Sequence, residues 1–156
     1  MKRKGKFYLK YESRYTLAPS QRSKNNLYWL CAYCGQPAET RDHVPPISRV
    51  DDYMAYNLKV EIYIKVPCCK QCNSWLSDSL QESFQRRFIY AKEIMERKWK
   101  SKLKPIDWSE NEILELGKNL RSKIVSEINK SSKFIERHEY YEGADIVCDW
   151  INENYF

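Results

Sequence analysis

Glycine and proline are scarce, with four and six among 156 residues. That excludes collagen-like and low-complexity chains, in which those residues dominate. No apolar run approaches the ~20 residues that span a bilayer. The start, residues 1–15, is basic with no apolar stretch behind it, so it lacks the form of a secretory signal. A cytoplasmic location follows as the expectation, and disulfides are uncommon there. The six cysteines therefore need another use. Histidine is scarcer still: only His43 and His138 are present. The length suits one domain with an ordinary core.

The net charge is +6, and it is unevenly spread. Residues 1–24 hold eight basic side chains and a single acid, Glu12. Residues 86–104 hold eight basic and two acidic. The segment between them is slightly acidic, and residues 105–156 carry eleven acids against six bases. Two basic blocks flanking a cysteine-rich middle suit a polyanion such as nucleic acid. A solvated helix face and a frayed terminus would give the same charge count.

The pattern predicts an α+β chain. Residues 1–24 read as a basic arm or a short hairpin. Val60, Ile62, Ile64 and Val66 alternate with polar or aromatic neighbours, which predicts a half-buried strand. Residues 38–44 are its expected partner, with residues 51–57 as the connecting loop. Leu76, Leu80, Phe84, Phe88, Ala91 and Met95 recur at helical spacing. They predict a helix over about 73–102 that can break near Asp78. Ser109 and Glu112 form a capping-box pattern opening a second helix to about residue 133. A short helix containing Ile146, Val147, Trp150 and Ile151 closes the chain.

Cys31 and Cys34 form one C-x-x-C pair, and Cys69 and Cys72 a second. Two intervening residues let both sulfurs of a pair face one point, and Gly35 permits the sharp reversal. Four thiolates suit a tetrahedral zinc ion, one per chain. The 34 residues between the pairs leave room for a hairpin fastened at its two ends. A thiol redox centre is the competing use, but no βαβ order surrounds either pair. Cys68 could replace Cys69 as a ligand; Cys68 and Cys148 otherwise read as free core thiols. Zinc with four thiolates carries a charge of −2, which Arg41, Arg49 and Lys70 would have to offset near a nucleic acid.

Between the pairs stands Asp42-His43-Val44-Pro45, and the second pair sits in Val66-Pro67-Cys68-Cys69-Lys70-Gln71-Cys72-Asn73. This ordered set resembles the HNH, or ββα-metal, endonuclease superfamily. Asn73 directly after the last cysteine also resembles the phage endonuclease VII resolvases. The resemblance spans residues 31–73. It implies a ββα-metal zinc-knuckle core (residues 25–78) in a mostly helical scaffold, one HNH domain over 1–156, with a helical extension over 79–156. It implies hydrolysis of phosphodiester bonds in DNA, inside a bacterial or phage-infected cell, with RNA and a homodimer left open.

The resemblance also assigns roles. His43 would be the general base that activates water. Asp42 and Asn73 would hold a catalytic Mg2+ or Mn2+, and Asn57 would orient the loop behind the histidine. Asp78 would be a further ligand or a surface acid. The chemistry is coherent: a near-neutral imidazole serves as base, and a hard cation stabilises the phosphorane and the leaving oxygen. Consecutive strand residues point to opposite faces. Asp42 and His43 can therefore meet at one phosphate only where the strand ends or bends, and Pro45 and Pro46 suggest an ending. Arg41, Arg49, Lys70, Arg86 and Arg87 are candidate phosphate contacts. His138 lacks any such frame. Tyr28, Trp29, Tyr33 and Trp75 suit packing around the knuckle more than stacking on bases. The alternative is a non-catalytic zinc module that binds nucleic acid or protein.

Overall fold

The computed structural model describes residues 5, 9–55, 62–77, 79–100 and 108–156. The expected mixed α+β class is observed: a three-stranded sheet within a mostly helical chain. Asn57 and Asp78 lie outside the described residues. Among the described residues, no helix is long and apolar enough to cross a membrane.

Strands β2 (Thr40–Val44) and β3 (Ile64–Cys68) form the expected antiparallel pair, with Thr40 opposite Cys68 and His43 opposite Lys65. The N-terminal segment departs from expectation. Its described part from residue 9 onward docks on the sheet. Thr16–Leu17, strand β1, joins β3 in parallel, giving the order β1-β3-β2. The aromatic side chains preceding β1 explain this. Tyr11 and Tyr15 are buried with Val50 in a small second core, against Ile47 and Tyr63. Pro67 is tolerated in the central strand because β1 reaches only as far as Lys65. Its missing N–H interrupts no ladder on that side. The Pro67 carbonyl accepts from the Ala32 N–H at 3.0 Å, tying the strand to the first cysteine pair.

The segment expected as a connecting loop is largely helical: α1 runs Val50–Ala55. Val50 and Tyr53 are buried one turn apart, and Asp51 and Asp52 sit in the first turn, where the helix dipole favours acids. Helix α2 (Lys70–Leu76) follows β3 directly, and its N-cap is the Cys69 sulfur, which accepts from the Cys72 N–H. The single long helix expected from residue 73 is two helices. The chain turns at Ser77, whose φ of 27° is not helical, and α3 restarts at Phe84–Trp99 under a Ser83 cap. Leu76, Phe84, Phe88, Ala91 and Met95 are buried as the spacing implied, whereas Leu80 falls in the turn and is exposed. The Ser109–Glu112 capping box is present and opens α4 (Glu110–Glu115). That second helix also divides, at Leu116–Gly117, before α5 (Lys118–His138). Helix α6 (Glu142–Tyr155) ends the chain.

The sheet separates two environments. Thr40, Asp42 and Val44 share one face, with the cysteine knuckle, α2 and α3. Arg41 and His43 share the other. The main core gathers the knuckle, the sheet, α3 and the C-terminal helices into one cluster.

Candidate functional site

Cys31, Cys34, Cys69 and Cys72 converge, all buried, with their sulfurs within 4.8 Å of one another. The Cys34 and Cys69 sulfurs are 3.7 Å apart. A tetrahedral zinc with Zn–S near 2.3 Å requires sulfurs roughly 3.8 Å apart, so the spacing fits such an ion. Among the described residues this is the one cluster of His, Cys, Asp or Glu donors close enough to hold a metal. Cys68 is buried outside the cluster, its thiol directed at the Cys69 carbonyl at 3.4 Å. The C-x-x-C geometry decided between Cys68 and Cys69. Cys148 is half-buried and separate.

Burial pushes the Cys31 thiol up; for Cys34 and Cys72 the leading cause of the same shift is hydrogen bonding to Cys31. Cys69 goes the other way, because its contacts with Cys31, Cys34 and Cys72 favour its thiolate. Gly35 turns the chain at φ 67°, and a Cβ there would lie 2.8 Å from the Tyr140 ring. Tyr140 in turn donates to Gln21 at 2.6 Å. Arg137, from α5, directs Nη2 at the Cys34 sulfur at 3.6 Å. The cation found beside the sulfurs is thus Arg137, which its 103-residue separation concealed.

Asp42 and His43 are not brought together. β2 continues unbroken to Val44, one residue past His43, so the two side chains take opposite faces. Asp42 is 3% exposed and paired. Arg87, 0% exposed, donates from Nε to Oδ2 at 2.8 Å and from Nη2 to Oδ1 at 2.7 Å. Tyr33 adds a third bond to Oδ2 at 2.6 Å. Arg87, expected as a phosphate contact, is instead a buried partner of Asp42, and in this structure that guanidinium, not a metal cation, neutralises the carboxylate. Asn73 stands on the Asp42 side, where its amide donates to Thr40 Oγ1 at 3.1 Å, and Thr40 donates to the Cys68 carbonyl at 2.8 Å. The three residues assigned to one phosphate thus divide between two faces.

No family model, curated protein or solved structure matches the chain.

His43 has its own surroundings. It is 9% exposed, and Nε2 lies 2.7 Å from Glu12 Oε2. The Tyr15 ring meets it edge-on at 4.8 Å, and the Tyr15 hydroxyl donates to the Pro45 carbonyl at 2.7 Å. Lys65, directly opposite on β3, donates to the other oxygen of Glu12 at 2.7 Å. Glu12 was overlooked in the sequence, although as the lone acid in a block of eight bases it stood out.

Burial opposes the Glu12 carboxylate, but hydrogen bonds from Lys65 and His43 outweigh it and hold its pKa below the ordinary glutamate range. The unfolded chain titrates near ~4.3. The contribution of this carboxylate is therefore complete above that value and is lost as pH falls through the lower folded value. The expected result is a melting-temperature gap between the natural chain and Glu12→Gln that is constant near neutrality and narrows in acid. A gap that widens in acid would contradict the assignment.

Of the remaining predicted contacts, Arg41 is exposed. Lys70 pairs with Glu39 at 3.2 Å, Arg86 with Glu82 at 2.6 Å and Arg49 with Asp52 at 3.0 Å, all solvent-facing pairs that a polyanion can displace. Tyr33 is core, as expected, while Tyr28 and Trp29 are partly exposed, with Arg22 over the Trp29 ring.

Proposed function

We propose that the chain is a zinc-clasped HNH-type endonuclease that hydrolyses phosphodiester bonds in DNA, with His43 as the general base. The observation that carries this reading is the order of elements: two antiparallel strands, then a helix, closed by four cysteines, with His43 near the end of the first strand. The zinc holds the frame. The imidazole takes a proton as water oxygen bonds to phosphorus, and the P–O bond to the leaving sugar breaks as that oxygen gains a proton. A divalent Mg2+ or Mn2+ would lower the cost of the developing charge. Asp42 would hold such a cation only on releasing Arg87.

That arginine-paired carboxylate favours a second reading, a zinc module that binds nucleic acid without cutting it. One experiment separates the two. Plasmid and oligonucleotide substrates are incubated with the protein in Mg2+ or Mn2+. Under the first reading they are nicked, and His43→Ala lowers the rate by about 10²–10⁴ while zinc stays at one per chain. Equal cleavage by His43→Ala would remove the histidine from the mechanism. Binding without cleavage in every metal would establish the second reading.

A further inference from the structure

His43 and Lys65 face the same way from directly opposed positions on neighbouring strands. Two nitrogen groups so placed favour an anion between them, because the Lys65 ammonium is positive and an imidazole N–H donates to the same acceptor. In this structure the anion is Glu12. Its two oxygens divide the work: Oε1 takes Lys65 and Oε2 takes His43, each at 2.7 Å. A phosphodiester offers the same fork, with two non-bridging oxygens sharing one negative charge. The donors are built in, Lys65 being 19% and His43 9% side-chain exposed. The carboxylate is not: Glu12 is 38% exposed, on a three-residue turn attached to a two-residue strand. The fixed part of the site therefore offers one positive charge, that of Lys65, and one ring N–H, and the side chain that fills it is the part that solvent reaches.

We propose that the His43–Lys65 pair is a phosphate-binding site, and that Glu12 occupies it as an internal mimic until a nucleic-acid phosphate displaces it. The proposal rests on the nucleic-acid reading above for the source of the phosphate. It makes Lys65 a phosphate contact and the Glu12 turn a brake on binding.

The test uses the full zinc-loaded chain with two probes, inorganic phosphate and a short oligodeoxynucleotide, at one fixed ionic strength. Glu12→Gln and Glu12→Ala should bind the oligonucleotide about tenfold more tightly than the natural chain, the range expected when charge-assisted bonds are released to a ligand. Adding Lys65→Met should abolish that gain. Glu153→Gln removes the same charge from an exposed position on α6 and should change affinity by less than about twofold. Inorganic phosphate should raise the melting temperature of Glu12→Gln more than that of the natural chain, because it binds only the folded form. Unchanged or weaker binding by both Glu12 variants overturns the proposal. So does a gain that survives Lys65→Met, or an equal gain in Glu153→Gln. Cleavage is read separately. A chain that never cuts but shows the gain retains this site and loses the nuclease reading; a chain that cuts without the gain does the reverse.

Discussion

Stripping the ion from the Cys31–Cys34–Cys69–Cys72 centre is expected to unfold the sheet and the helix that follows it. Zinc in a four-thiolate site supplies about 10–16 kcal/mol of apparent binding free energy at neutral pH. A domain of this size is stable by only about 5–15 kcal/mol in total. The knuckle lies inside the main core, with Tyr33, Phe84 and Val147 in the same cluster, so parting the sulfurs disrupts the packing on the larger of the two cores that hold β3. Circular dichroism with and without chelator reads the result directly. Cys69→Ser should reproduce the loss, whereas Cys68→Ser should keep one zinc per chain. A chelated chain that melts where the loaded one does would show that the cluster is only a core of thiols.

The second large effect is at Arg87. Arg87→Met leaves the Asp42 carboxylate buried without its fork of donors, and breaking such a pair costs about 3–5 kcal/mol. At about 2–4 °C per kcal/mol for a chain of this length, the midpoint should fall by roughly 6–20 °C. Arg87→Lys should recover little, because a point charge cannot reproduce two parallel bonds. Asp42→Leu combined with Arg87→Met should be milder than Arg87→Met alone, since no charge is then left unpaired. Urea unfolding measures all four chains. A loss below about 1 kcal/mol in Arg87→Met would mean that the pair behaves as a surface contact. Manganese that raises the melting temperature of Arg87→Met, but not of the double variant, would show that Asp42 ligates a cation once the guanidinium is gone.

Local chemistry was legible in the residues. The C-x-x-C pairs named the metal cluster because their geometry is set within four residues. The alternation near residue 64 named β3, and Ser109 with Glu112 named a helix start. Continuity was not legible. Leu76, Leu80 and Phe84 keep helical spacing across a turn, because spacing records which face is apolar and not whether the backbone is unbroken. Long-range pairing was also hidden. Asp42 meets Arg87 across 45 residues and Glu12 meets Lys65 across 53, and neither motif nor period encodes such a meeting. The candidate site was therefore half readable. His43 was singled out by its frame, while the partners that define its surroundings come from the N-terminal flank and from β3.

The outer wall of the knuckle is made by the last part of the chain. Gly143 sits so close to Ala32 that a Cβ would come within 2.9 Å of its backbone, and Tyr140 closes over Gly35. On the ribosome, all four cysteines have emerged long before residues 134–147 exist. A metal ion taken up by the four sulfurs would therefore have an open side to enter by before the later helices pack, and a covered one afterwards, so its exchange from the folded chain is expected to be slower than its uptake by the unfolded one.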